Sequence, residues 1–156
     1  MKIIELESIT KRYKVGLVYL FGSMQKIGHE LLSQEVSIEA APEVFQTDID
    51  IGVVFIEFPR EEIRYIYGRL YEDLTPLFSP YKLDLIFLQE VDYLLQWEVI
   101  NGVNVYKVNE DFFDCYEEKV MKFAADWKYE YDLFQKEFLE GMRSGYRQFE
   151  YNPDKG

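Results

Sequence analysis

The chain has 156 residues, 48% of them apolar and 17% aromatic, which is enough apolar mass for one hydrophobic core and excludes a disordered polymer. Its 29 acidic against 17 basic residues leave a formal net charge of −12. That balance argues against a nucleic-acid partner, because proteins that track phosphate backbones need a basic footprint.

No apolar run is long enough to span a bilayer, and the N-terminus lacks a signal-peptide pattern. The single cysteine, Cys115, cannot form an internal disulfide and is expected to pack within a helix. A cytoplasmic protein without a membrane partner is therefore expected.

In chain order, Ile3, Ile4, Leu6, Ile9 and Tyr13 recur at helical spacing and predict a helix leading into a strand, residues 16–21. That strand stops at Gly22-Ser23, and Met24, Ile27, Leu31 and Leu32 resume helical spacing. A strand that turns through Gly-Ser into a helix brings free backbone N–H groups, a hydroxyl and the positive helix end to one point, which suits an anion. Alone the dipeptide is an ordinary turn and N-cap. His29, the only histidine, is expected to face solvent.

The segment from Ser33 to Gln46 reads as an insertion, either a surface loop or hairpin or a lid or partner contact. Asp48 and Asp50 then open the apolar run of residues 51–56, a buried strand. Residues two apart on a strand share a face, so both carboxylates point one way and Ile49, Ile51, Val53 and Phe55 the other. Adjacent anions repel and are costly to bury, and a divalent cation removes both costs. Gly52, on the Asp50 side, is read as leaving room for a ligand, with a bulge as the alternative.

Pro59 precedes Ile63, Ile66, Leu70 and Leu74, a helix closed by Pro76 and Pro80. It crosses over to a second strand, residues 81–88, whose lone acid is Asp84. If the two strands are neighbours, Asp84 joins Asp48 and Asp50, and three carboxylates suit a hard cation such as Mg²⁺. Lys82 is expected on the opposite side of this strand from Asp84. A short helix over 91–100 ends at Asn101-Gly102, and a strand over 103–108 follows.

From Asp111 onward, Phe112, Phe113, Tyr116, Val120, Phe123, Trp127, Phe134 and Phe138 fall mostly three or four apart. They predict one long helix or two in succession, N-capped by Asn109 and fraying near Gly141 and Gly145. The aromatic stripe is expected to pack on the chain's own sheet, with a partner surface as the alternative. The whole reads as an α/β (α+β) fold in one unit, residues 1–156, with a core of about 1–108 and a helical segment of about 109–150.

Strand, Gly22-Ser23, helix, then Asp48-Ile49-Asp50 and a later Asp84, resembles the nucleotidyltransferase superfamily. In a chain this short the pattern is similar to the minimal nucleotidyltransferases, whose best-known members are antitoxins of the MNT/HEPN type. The resemblance covers roughly the first two thirds of the chain.

It implies a mixed sheet flanked by helices, with Gly22 and Ser23 holding a nucleoside triphosphate. It further implies Asp48 and Asp50 as Mg²⁺ or Mn²⁺ ligands, and Asp84 completing the metal site and activating an acceptor hydroxyl. The family's usual Gly-Ser-x-Ala-Arg-Gly stands here as Gly22-Ser23-Met24-Gln25-Lys26-Ile27-Gly28, so Lys26 takes the place of the phosphate-binding arginine.

The implied activity is transfer of AMP from ATP to a hydroxyl of a partner protein, a HEPN-family ribonuclease toxin. Two alternatives stand beside it. One is a catalytically weak fold that neutralises its partner by contact. The other is a nucleotidyltransferase for a small cationic acceptor of the aminoglycoside kind.

Overall fold

The computed structural model describes residues 2–33 and 47–151, with side chains through residue 143. Helix α1 (Lys2–Tyr13) leads into strand β1 (Val15–Phe21), and helix α2 (Gln25–Ser33) follows the Gly22-Ser23 turn. Strand β2 (Ile49–Phe55), helix α3 (Ile63–Leu74) and strand β3 (Leu83–Phe87) come next, then helix α4 (Tyr93–Ile100), strand β4 (Val103–Lys107) and helix α5 (Glu110–Tyr151).

The four strands form one sheet in the order β3-β2-β1-β4. β1 runs antiparallel to β2 and β4, whereas β2 and β3 are parallel. Parallel neighbours require a crossover, and α3 supplies it, as its helical spacing between two apolar runs predicts. The expected α/β fold is thus observed, a mixed sheet flanked by helices with a long helix at its C-terminal end.

Both sheet faces are covered. Ile49, Ile51, Val53 and Phe55 of β2 pack with Val18, Leu20, Leu83, Leu85 and Phe87 toward α1, α2 and α3. On the other face Leu17, Tyr19 and Val54 meet Leu88, Val99, Tyr116 and Val120 beneath α4 and α5. Two helix starts use polar caps, of which only the one at Asn109 is expected from the sequence. Asp92 accepts from the Leu95 N–H at 2.8 Å, and Asn109 Oδ1 accepts from the Phe112 N–H at 2.7 Å.

Helix α5 departs from expectation in three ways. The single helix, one of the two expected forms, runs for 42 residues and so continues through Gly141 and Gly145, where the sequence predicts fraying. At 1.5 Å per residue it reaches about 63 Å, while the seven-residue strand β1 covers only about 23 Å. Its stripe therefore packs on the sheet only at the start. Tyr116, Val120 and Ala124 are buried, whereas Trp127, Phe134 and Phe138 are exposed. Cys115 is also exposed rather than packed. Among the described residues, no helix is long and apolar enough to cross a membrane.

Candidate active site

β1, an interior strand of the sheet, ends at Phe21 opposite Asp50 and delivers the chain to Gly22. Gly22 holds φ at +76°, a left-handed conformation that side chains disfavour. A Cβ there would also run into Asp50 Oδ2, with Asp50 Cγ at 3.3 Å. The glycine thus allows both the turn and the approach of the Asp50 carboxylate to the backbone.

Beyond it, the Gln25 N–H turns back onto the Gly22 carbonyl at 3.4 Å, and the next N–H groups of α2, those of Lys26 and Ile27, lack intrahelical acceptors. Ser23 and Lys26 are both exposed, and among the described residues Lys26 enters neither ion pair. His29 is exposed as expected. Gln25, which the sequence reading did not single out, keeps its side-chain Oε1 buried with no hydrogen-bond partner among the described residues. That leaves a spare acceptor two residues after Ser23. Glutamine after a Gly-Ser turn looks like any polar helix residue, so only its burial reveals it.

The carboxylates come from two adjacent strands. In the parallel register Asp50 lies opposite Asp84, and in the antiparallel one it lies opposite Phe21, the last residue before Gly22. Asp50 is half-buried, while Asp48 and Asp84 are exposed. The Asp50 pKa is raised, first by burial, then by repulsion from and hydrogen bonding with Asp84, and last by the charge of Asp48. Among the described residues neither ion pair reaches any of the three.

Nor do three or more His, Cys, Asp or Glu side chains already close into a metal cage among the described residues. The pair Asp50–Asp84, with Asp48 in electrostatic reach, nevertheless fits a hard divalent cation in donor chemistry. These are oxygen ligands whose repulsion protein cations leave uncompensated.

Two expectations are corrected. The space at Gly52 is already filled, since a Cβ there would meet Val99 Cγ1 at 2.9 Å and Leu88 Cδ2 at 3.1 Å. Gly52 admits α4 to the sheet rather than a ligand. Lys82 lies two residues before Asp84, so strand alternation places it on the same exposed side rather than the opposite one. The insertion expected around residues 33–46 lies, from residue 34 on, outside the described residues.

The structure also adds Tyr67. Its hydroxyl donates to the Leu85 carbonyl at 2.8 Å on the outer edge of β3, and the charge of Asp84 helps raise its pKa after burial. A tyrosine on a helix carries no sequence signal for such a contact with a strand edge.

Comparison with known proteins agrees with this arrangement. The family model described as "Polymerase beta, Nucleotidyltransferase" matches residues 4–111, about two thirds of the chain. A comparison with curated protein sequences finds no match.

Among solved structures, one described as a toxin-antitoxin with AMP-PNP superposes with a TM-score of 0.58 at 15% identity, covering 89% of this chain and 99% of that one. A tri-AMPylated Shewanella oneidensis HEPN toxin in complex with MNT antitoxin gives 0.55 at 15% identity, covering 88% and 96%. The toxin-antitoxin MntA-HepT gives 0.55 at 14%, covering 88% and 97%. At such identities these likenesses speak for the fold, and the family match adds the lineage. The chain belongs to the Polymerase beta nucleotidyltransferase family.

Proposed function

We propose that this protein transfers AMP from ATP to a hydroxyl of a partner protein, a HEPN-type toxin, and so acts as its antitoxin. The observation that carries the reading is the meeting of Asp50 and Asp84 as cross-strand neighbours beside the Gly22 turn. The AMP-PNP and AMPylated-toxin descriptions of the structural neighbours support the choice of nucleotide and partner.

In this reading the N–H groups of Lys26 and Ile27 at the start of α2, the Ser23 hydroxyl and the Lys26 ammonium bind the triphosphate. Asp48, Asp50 and Asp84 would hold Mg²⁺ or Mn²⁺, which supplies charge neutralisation along the phosphates. Asp84, the exposed member of the pair, receives the proton of the acceptor hydroxyl. The acceptor oxygen bonds to the α-phosphorus as the bond from that phosphorus to the bridging oxygen breaks, and pyrophosphate leaves. Gln25 Oε1 offers an acceptor for a donor group of the bound nucleotide.

The test is ATP labelled at the α-phosphate, incubated with the HEPN-type partner. Wild type should leave label on the partner, and Asp84→Asn should still bind ATP but transfer poorly. Tight partner binding without any label would instead favour neutralisation by contact. That second reading draws on the exposed apolar length of α5.

A further inference from the structure

The apolar stripe of α5 does not end where the domain ends. Phe113, Tyr116, Val120 and Ala124 face the sheet and α4, and Trp127, Tyr131, Phe134 and Phe138 continue the same three-four spacing. The four later residues are 46%, 45%, 63% and 55% exposed. Trp127 stacks on Tyr131 at 5.1 Å between ring centroids, and Phe134 on Phe138 at 6.0 Å. The stripe is thus a seam already ordered by its own rings.

Where α5 leaves the sheet, it and α4 bound a cavity of about 600 Å³ walled by Leu94, Trp97, Met121, Trp127 and Tyr131. A seam with a three-four period that opens into a groove between two helices matches the shape of a third helix.

Charge selects the occupant. The chain carries −12 overall. Along residues 126–143 the helix carries Asp126, Glu130, Asp132, Glu137 and Glu140 against Lys128, Lys136 and Arg143. At the groove itself Glu98 and Asp132 stand against Lys128. A second copy of this chain would bring like charge onto like.

We propose that the α4–α5 groove and the α5 seam dock an amphipathic helix of a partner protein whose apolar edge is flanked by lysine and arginine. The inference rests on the proposed function in taking that partner to be the protein that is modified. The groove lies on the same sheet face as Asp50, because Gly52, two residues on, packs under Val99 of α4. The α4–β4 turn at Gly102 also abuts Phe21, next to Gly22. A helix docked there is held on the face that carries the candidate carboxylates.

The probe is a labelled helical peptide with leucines at three-four spacing and lysines at the flanking positions, beside a counterpart with glutamates at those positions. Fluorescence anisotropy should show the lysine peptide binding about ten-fold or more tightly than the glutamate one, with affinity falling as salt rises. Trp127→Ala and Phe134→Ala remove apolar surface without changing charge, and each should weaken binding about ten-fold, while Tyr65→Ala, on α3, should not. Equal binding by these three variants would overturn the proposal, because attraction by net charge alone explains it. Sedimentation of the wild type as a dimer that Phe134→Ala dissolves would overturn it too, by assigning the seam to a second copy. ATP-dependent stabilisation, measured on the same variants, uses neither groove nor peptide. Its loss in the wild type would count against the proposed activity and not against the docking surface.

Discussion

Because burial and Asp84 raise the Asp50 pKa, the folded chain binds a proton at that carboxyl more tightly than the unfolded chain does. The unfolded state then holds fewer protons, so this group's contribution to stability falls as pH rises from the ordinary carboxylate range through the raised pKa, and levels off above it. A divalent cation bound there would replace the proton and cancel the repulsion. Two outcomes are expected in thermal melts between about pH 4 and pH 8. Without metal, Asp50→Asn should melt above the wild type at the neutral end, and the gap should narrow on acidification. With Mg²⁺, the wild type should gain stability that Asp50→Asn does not. A variant that melts below the wild type at neutral pH in the absence of metal would contradict the burial cost and repulsion assigned to this carboxylate.

Gly22 meets the same carboxylate from the backbone side. Gly22→Ala places a Cβ against Asp50 Oδ2 in a left-handed conformation, which should cost about 1–3 kcal/mol of stability. It should also abolish metal-induced stabilisation, because Asp50 must move. Denaturant unfolding with and without Mg²⁺ checks both effects, and an unaltered metal response would show that Asp50 can shift freely.

Among the elements, the contact between β2 and α4 passes through Gly52. An added methyl would press on Val99 and Leu88, both fully buried, so Gly52→Ala should destabilise by about 1–3 kcal/mol. Adding Val99→Ala should recover part of that loss, a coupling that urea unfolding of the four proteins in the cycle resolves. Simple additivity would mean that Gly52 serves something other than the α4 contact. Asn109→Ala should cost about 1 kcal/mol by leaving the Phe112 N–H of α5 uncapped.

These two residues mark the reach of the sequence. Asn109 was legible because a cap acts on its own helix, within three residues. The strand and helix periods, the crossover and the Asp48-x-Asp50 motif were legible for the same reason, since each is a local pattern. Gly52 was misread because its packing partner, Val99, lies 47 positions along the chain, and no local pattern carries that contact. Gln25 and Tyr67 escaped notice because a polar helix residue declares its importance only through burial or a strand edge. The stripe of α5 was read correctly as a stripe and misplaced over its second half. Periodicity specifies which face is apolar, whereas the length of the sheet decides how much of that face is covered.

At the scale of the whole molecule the dominant fact is unbalanced charge. With 29 acidic and 17 basic residues, only two ion pairs form among the described residues, Arg12 with Asp73 and Lys107 with Glu110. Attractive pairs are few, so screening should relieve more repulsion than it removes attraction. Raising NaCl from about 0.02 to 0.3 M is expected to raise the melting temperature, and relief of ~1 kcal/mol would shift a chain of this length by 2–4 °C. A fall in melting temperature would mean that attractive pairs dominate.

This background also acts at the candidate metal site. A chain at −12 gathers Mg²⁺ everywhere, and part of any stabilisation by MgCl₂ is the same screening that NaCl provides. The comparison that isolates the Asp50–Asp84 pair is therefore made at matched ionic strength. There the wild type should gain further from Mg²⁺ than from NaCl, and Asp50→Asn should respond to both salts alike. If Asp50→Asn keeps the extra gain, the cation is binding the acidic surface at large and not the carboxylates beside Gly22.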